Sequence, residues 1–148
     1  MHTCPQNTAA NAPGATSGAH VTTEARPQRI LIAEDEGVTS LRIAGIVEAL
    51  GCTVVGPAAS PREALNYLES SDVDGAVLDV NLNGQPVYAV ADRLALRKVP
   101  FFFLTGYGSA AIPPAHADRC VVQKPFSSAE LARALTDELG VAPPRRVA

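Results

Sequence analysis

Four groups of polar residues directly follow short apolar runs in this sequence. Their side chains are of the types that bind metals and act as nucleophiles. These residues are Glu34-Asp35, Asp79, Thr105 and Lys124, which follow the runs Ile30-Leu31-Ile32-Ala33, Gly75-Ala76-Val77-Leu78, Phe101-Phe102-Phe103-Leu104 and Val121-Val122-Gln123. Taken singly, an acidic residue after a strand is more often a helix cap or a solvated turn residue. The four signals together favour a single site.

The three acidic residues Glu34, Asp35 and Asp79 predict a metal site in which one carboxylate can accept a phosphoryl group. Two carboxylates about 4 Å apart repel by about 4 kcal/mol at an effective dielectric constant of about 20, and a hard divalent cation removes that cost. Mg²⁺ is the preferred ion, because one or two carboxylates commonly hold it and phosphoryl oxygens can replace its waters. Asp79 is a competent nucleophile toward phosphorus, Lys124 supplies a compact positive charge, and Thr105 supplies a hydrogen bond.

The elements that must position these residues alternate between strands and helices. The predicted strands cover residues 30–33, 53–56, 75–80, 101–104 and 120–123, and apolar residues recur at helical spacing between them. Pro113 and Pro114 leave room for only a short or irregular fourth helix. The alternation predicts an α/β fold with a doubly wound, five-stranded parallel sheet and helices on both faces. Ligands bind such sheets at the carboxyl ends of the strands, where all four signals lie.

Helix limits are marked by local signals. Ser60 with Glu63, and Ser127 with Glu130, are predicted to form capping boxes at the starts of two helices. Gly51 is predicted to end the first helix in a left-handed conformation.

Composition narrows the class of protein. The chain has 148 residues, of which 47% are hydrophobic and 18% charged, as expected for one globular domain. We expect a disordered leader over residues 1–28, the domain over 29–140 and a flexible tail over 141–148. A net charge of -3 argues against direct nucleic-acid binding, and no apolar stretch suits a membrane span. Three scattered cysteines predict neither a disulfide framework nor a zinc site, which favours core roles for Cys52 and Cys120 and a cytoplasmic location.

The same residues resemble a known family. Glu34-Asp35, Asp79, Thr105 and Lys124-Pro125-Phe126 are similar to the acidic pair, phosphoacceptor, switch hydroxyl and Lys-Pro motif of the bacterial response-regulator receiver domain. The resemblance implies a flavodoxin-like strand order 2-1-3-4-5 and a cis bond at Lys124-Pro125. It also implies Mg²⁺-dependent transfer of phosphate from a histidine kinase to Asp79. Such a protein is a signalling domain that assists its own phosphorylation and dephosphorylation, not an enzyme with a separate substrate.

A narrower likeness concerns the segment Pro100-Phe101-Phe102-Phe103-Leu104-Thr105-Gly106-Tyr107-Gly108. It is similar to the Pro-Phe-x-Phe-Ala-Thr-Gly-Tyr signature of stand-alone alphaproteobacterial receivers, although Leu104 replaces the usual Ala. These receivers are often associated with kinases of the HWE and related classes. The implied partners are a sensor histidine kinase or a phosphotransfer protein, and a separate downstream protein target. Glu34 occupies the position at which family members more often have the first Asp of the acidic pair. The negative charge is kept, but on a longer side chain.

One departure from the family bears on signalling. Most receivers have an aromatic residue three positions before the lysine, and Val121 occupies that position here. We hypothesise that the loop 105–114, with Tyr107 beside Thr105, carries the rearrangement instead through a change of order. The alternative is that Tyr107 only packs against the edge of the sheet.

Three other functions are compatible with parts of the pattern. A receiver fold could bind partners without phosphorylation. Gly106-Tyr107-Gly108-Ser109-Ala110-Ala111 fits the dinucleotide-binding fingerprint G-x-G-x-x-G/A, but that fingerprint belongs after the first strand and this segment follows the fourth. A haloacid-dehalogenase-like phosphatase requires a second Asp two residues after the nucleophile, where Asn81 stands. The backbone carbonyl of Asn81 is therefore the expected metal ligand at that position.

Overall fold

The computed structural model describes residues 26–106 and 112–142 and confirms the predicted doubly wound α/β fold. These residues contain seven strands: β1 (Arg29–Ala33), β2 (Thr53–Ala58), β3 (Gly75–Asp79), β4 (Asn81–Leu82), β5 (Gln85–Pro86), β6 (Phe101–Thr105) and β7 (Val121–Gln123). Four α-helices accompany them: α1 (Gly37–Ala49), α2 (Pro61–Ser70), α3 (Tyr88–Leu96) and α4 (Ser128–Leu139).

The main sheet has five parallel strands in the order β2-β1-β3-β6-β7. This order corresponds to the expected 2-1-3-4-5 order once the short strands β4 and β5 are set aside. The register pairs Ala33 with Leu78 and Asp79 with Leu104, so the central strands end at nearly the same level. The carboxyl ends of β1, β3 and β6 therefore form one edge of the sheet.

Two hydrophobic layers hold the sheet between the helices. Strand residues alternate between the layers, because successive side chains of a strand point to opposite faces. One layer joins Leu31, Leu78 and Phe103 to α2 and α3. The other joins Ile32 and Leu104 to α1 and α4. Strands covered on both faces explain the continuous apolar runs of the sequence.

The predicted helix signals are largely present. Ser127 and Glu130 form a complete capping box at the start of α4. The Ser60 hydroxyl accepts a hydrogen bond from the Glu63 backbone N–H, but the Glu63 carboxylate accepts from the N–H of Ala59 instead of closing the box on Ser60. Gly51 has a φ angle of +85°, as expected for the left-handed end of α1.

Two features differ from the expected pattern or refine it. Strands β4 and β5 form an antiparallel hairpin directly after β3, which the sequence reading did not include. The fourth helix of the alternation is a 3-10 helix over Pro114–His116, in agreement with the predicted short or irregular element.

Both cysteines predicted as core residues are buried. Cys52 is a free, buried thiol, as expected of a core residue. Cys120 is also buried in the core layer that contains Ile32, as expected, and it is in addition disulfide-bonded, which was not predicted from the sequence. Most of the expected leader and tail lies outside the described residues. Within the described part, no helix is long and apolar enough to cross a membrane.

Candidate functional site

The site lies at the carboxyl ends of β1, β3, β6 and β7. Glu34 follows β1, Asp79 and Thr105 are the last residues of β3 and β6, and Lys124 follows β7. Backbone hydrogen bonds continue the sheet into this region: Glu34 N–H donates to the Ala58 carbonyl at 2.9 Å, and Lys124 N–H donates to the Thr105 carbonyl at 2.9 Å. The regular sheet thus fixes where each of these side chains begins.

Three carboxylates converge at this edge. One carboxylate oxygen from each of Glu34, Asp35 and Asp79 lies within 4.8 Å of the others. Glu34 and Asp79 are buried, at 2% and 7% exposure, whereas Asp35 is half-buried. The three acidic residues proposed from the sequence are therefore brought together, although 45 positions separate Glu34 from Asp79 in the chain.

Each of the three carboxylates accepts one backbone N–H. Glu36 N–H donates to Glu34 Oε2 at 3.0 Å. Asn81 N–H donates to Asp79 Oδ1 at 3.2 Å, and Asn83 N–H donates to Asp35 Oδ2 at 3.2 Å. These bonds hold one oxygen of every carboxylate in place.

Lys124 is the cation of the site. Its Nζ donates a hydrogen bond to Asp79 Oδ2 at 2.9 Å and lies at the same distance from Glu34 Oε1. The contact with Glu34 has an ion-pair distance without hydrogen-bond alignment, so Oε1 is a buried oxygen with no hydrogen-bond partner among the residues that the structure describes. One ammonium group faces three carboxylates, which leaves an excess of negative charge.

The pKa of Glu34 reflects this environment. Burial raises it from 4.5 to about 7, against the lowering effects of Lys124 and of the Glu36 N–H. Burial alone would lower the pKa of Lys124, but its hydrogen bond with Asp79 and its close contact with Glu34 outweigh burial and raise it.

These residues fit a divalent cation. A hard ion such as Mg²⁺ prefers carboxylate and carbonyl oxygens. Glu34 Oε1 is buried and lacks a hydrogen bond, which is the kind of ligand atom that a cation would satisfy. The donor set of Glu34, Asp35 and Asp79 therefore suits Mg²⁺ in both its chemistry and its spacing.

The structure also describes most of the other residues predicted for the site. Thr105 is fully buried beside the site. Asn81 is the second residue after Asp79, where its carbonyl was expected as a ligand. Val121 is buried in the core layer that contains Phe103, and Tyr107 lies outside the described residues. The Lys124-Pro125 bond is cis, as the family resemblance implied.

Three contacts, two of them around the site, were not predicted from the sequence. The N–H of Asn83 reaches Asp35 from the β4–β5 hairpin, and the dipeptide Asn83-Gly84 is a known hairpin signal. Arg42 of α1 stacks on the ring of Phe126, 4.7 Å from its centroid, next to the Lys-Pro bond. Buried His116 contacts Asp92, with 2.7 Å between Nε2 and Oδ1, and no local pattern indicates that pair.

Comparison with known proteins agrees with this geometry. A model of the response regulator receiver domain matches residues 30–136. The chain belongs to the response-regulator receiver family. Among relatives of this receiver, the phyllosphere-induced regulator PhyR of Methylorubrum extorquens is 30% identical over 74% of the chain. The transcriptional regulatory protein PdtaR of Mycobacterium tuberculosis is 28% identical over the same share. The chain spans only 43% and 55% of the lengths of these two proteins.

Solved structures show the same fold in other receivers. The solution structure of SdrG from Sphingomonas melonis Fr1 is 37% identical, has a TM-score of 0.68, and is matched over 76% of this chain and 96% of that one. The receiver domain of sensor histidine kinase PA1611 from Pseudomonas aeruginosa is 26% identical, with a TM-score of 0.62 over 77% of this chain and 98% of that one. That structure contains a magnesium ion in its active-site cleft.

Proposed function

We propose that this receiver accepts a phosphoryl group on Asp79 in a Mg²⁺-dependent reaction and passes the signal to another protein. One observation carries the proposal: the Lys124 ammonium bridges buried Asp79 and Glu34 at 2.9 Å, beside a cluster of three carboxylates. If Lys124 only stabilised the fold through an ion pair, a single acidic partner would be enough. Here the extra acids supply ligands for a metal, and the lysine remains to bind a phosphoryl oxygen.

The chain's own residues can perform the transfer. A carboxylate oxygen of Asp79 attacks phosphorus as the bond from phosphorus to the donor's imidazole nitrogen breaks, and the electron pair leaves with that nitrogen. The product is an aspartyl phosphate. When bound, Mg²⁺ offsets negative charge on the phosphoryl oxygens and orients them. Glu34, Asp35, Asp79 and the Asn81 carbonyl are the proposed metal ligands.

Two further residues would respond to the phosphoryl group. Phosphorylation adds about -1.5 to -2 charges at neutral pH, and Lys124 Nζ is already 2.9 Å from Asp79. The Thr105 hydroxyl would supply a second contact from the neighbouring strand. Charge-assisted hydrogen bonds are worth about 1.5 to 3 kcal/mol each. Two of them can therefore shift the equilibrium between the inactive and the active conformation substantially. Whether Tyr107 and the loop 105–114 carry this rearrangement stays a hypothesis.

The proposed partners follow from the proposed chemistry. The phosphoryl donor would be a sensor histidine kinase, of the HWE class among others, or a phosphotransfer protein. The signal would leave through contact with a separate protein or through onward phosphate transfer. In this proposal the protein is cytoplasmic and acts as a phosphoacceptor, assisting its own phosphorylation and dephosphorylation.

Acetyl phosphate tests the proposal without the partner kinase. The protein is incubated with acetyl phosphate and Mg²⁺, and phosphate uptake is measured by intact mass and phosphate-affinity electrophoresis. We expect one phosphoryl group on the wild type and on Asp118→Asn, a control at an exposed aspartate outside the site. A chelator and Asp79→Asn should each abolish uptake.

Two outcomes would contradict the proposal. Unchanged uptake by Asp79→Asn would show that another residue is the acceptor. No uptake by the wild type from acetyl phosphate or phosphoramidate would favour the alternative of a receiver fold that binds partners without phosphorylation.

A further inference from the structure

The hairpin of β4 and β5 is built as a rigid unit beside the acidic cluster. Its two-residue turn consists of Asn83 and Gly84, with φ angles of 53° and 82°, as in the tight hairpin turns that match strand twist. The Asn81 side-chain oxygen accepts the Gly84 N–H at 2.7 Å and closes the turn. Leu82 is fully buried and anchors the hairpin in the core.

This hairpin touches two of the three carboxylates through its backbone. The N–H of Asn81 donates to Asp79 on the preceding strand. The N–H of Asn83 donates to Asp35, which lies 48 positions earlier in the chain and follows a different strand. One short element thus connects the proposed phosphoacceptor with a proposed metal ligand of β1.

The contact with Asp35 depends on an unusual backbone conformation. A positive φ is uncommon for residues other than glycine, although Asn adopts it more readily than most. The turn that this conformation closes presents the Asn83 N–H to Asp35 Oδ2 and leaves Oδ1 for another partner. Asp35 is half-buried, so without this bond its side chain would have more rotational freedom. Ordering a side chain costs free energy when a ligand binds, and a ligand atom held beforehand avoids part of that cost.

We propose that the β4–β5 hairpin is a positioning element for Mg²⁺, in which the Asn83 N–H orients Asp35 toward the ion. The inference rests on the proposed function, because it assigns a role in the same metal site. Asn83 is a positioning residue, since it acts through Asp35 and does not touch the metal. Groups that orient metal ligands commonly affect metal affinity by about 10- to 100-fold, and this exposed bond belongs at the low end.

Two substitutions at one position separate conformation from side-chain chemistry. Asn83→Val disfavours the positive φ, whereas Asn83→Gly keeps both the φ and the N–H. Gly84→Ala is a second disrupting variant, because a Cβ there meets no atom within 4 Å and strains only the backbone. Exposed Gln85 supplies the control Gln85→Ala in the same hairpin.

The readout is Mg²⁺ affinity, measured by titrating ¹⁵N-labelled, unphosphorylated protein and following amide shifts. We expect Asn83→Val and Gly84→Ala to weaken Mg²⁺ binding by about tenfold. Asn83→Gly and Gln85→Ala should stay within about twofold of the wild type. In the metal-free wild type, the Asn83 amide should exchange slowly with solvent, and Asp35→Ala should remove that protection.

The outcomes distinguish this inference from the proposed function. If the wild type binds Mg²⁺ and the disrupting variants bind it equally well, the hairpin has no positioning role. Fast exchange of the Asn83 amide in the metal-free wild type would overturn the inference as well. If the wild type binds no Mg²⁺, the proposed metal site itself fails, and the positioning role fails with it.

Discussion

The Lys124 ammonium lies 2.9 Å from Asp79 Oδ2 and equally close to Glu34 Oε1, so one cation is shared between two buried acids. Asp35 adds a third carboxylate to this pair. The local excess of negative charge links the stability of the protein to the proposed metal binding and the proposed phosphoryl transfer.

The metal-free protein should lose stability as pH rises. Because the pKa of Glu34 is about 7 in the folded state and ordinarily 4.5, the folded state binds this proton more tightly than the unfolded state. The stabilising effect is complete below about pH 4.5 and is lost as pH rises through about 7. Its upper limit is about 3 kcal/mol. Urea unfolding in chelator from about pH 5 to pH 8 measures this change.

Glu34→Gln provides the matched test of that effect. The variant should be more stable than the wild type at pH 8 and similar at pH 5, because it removes a buried charge that exists only at high pH. Glu48→Gln, at an exposed position of α1, should keep the wild-type pH dependence. If the free energy of unfolding changed with pH in the same way for the wild type and for Glu34→Gln, Glu34 would not be the titrating group.

Magnesium affinity should change with pH in the opposite direction. A metal ligand must lose its proton, so apparent Mg²⁺ affinity should rise as pH approaches the Glu34 pKa of about 7 and level off above it. Below that pKa we expect up to about a tenfold loss per pH unit. Calorimetric titration at several pH values checks this. A flat profile for the wild type would exclude Glu34 as a ligand that titrates in this range.

Thr105 should affect the response more than phosphate uptake. Thr105→Val keeps the shape of this fully buried side chain but removes the hydroxyl. We expect uptake from acetyl phosphate to persist, while amide shift changes on adding the phosphoryl analogue beryllofluoride become smaller near β6 and β7. Thr105→Ser keeps the hydroxyl and should respond like the wild type. Equal responses from all three proteins would remove Thr105 from the proposed switch.

His116 should stabilise the region between β6 and β7. It is 5% exposed, its ring centroid lies 5.7 Å from that of Phe101, and its Nε2 lies 2.7 Å from Asp92. His116→Ala should lower the free energy of unfolding by about 2 kcal/mol through lost packing. Asp92→Ala should cost less, about 1 kcal/mol, because that carboxylate is largely exposed. Denaturant unfolding distinguishes the two, and an equal loss would assign the stabilisation to the hydrogen bond.

The sheet and most of the site could be predicted because their signals are local. Asp79 and Thr105 end apolar runs of the kind that a doubly covered parallel strand requires, and the edge at which such strands end is a general property of the fold. The contacts of Asn83 with Asp35 and of His116 with Asp92 could not be predicted in this way. Each joins elements far apart in the chain, and neither leaves a periodic pattern in the sequence.

The burial of Glu34 was also beyond sequence reading. A glutamate after a strand is ordinarily solvated, and only the assembled sheet edge places Lys124 against it and leaves Oε1 without a hydrogen bond. The turn at Asn83-Gly84 is different, because its dipeptide is a recognisable hairpin signal in the sequence.

Locating the phosphoryl group most directly tests the central claim. The wild-type protein is treated with acetyl phosphate and Mg²⁺, reduced with borohydride to convert an aspartyl phosphate to homoserine, and mapped by peptide mass spectrometry. We expect homoserine at position 79 only, and none when chelator is present. Modification of another residue, with Asp79 unchanged, would contradict the account.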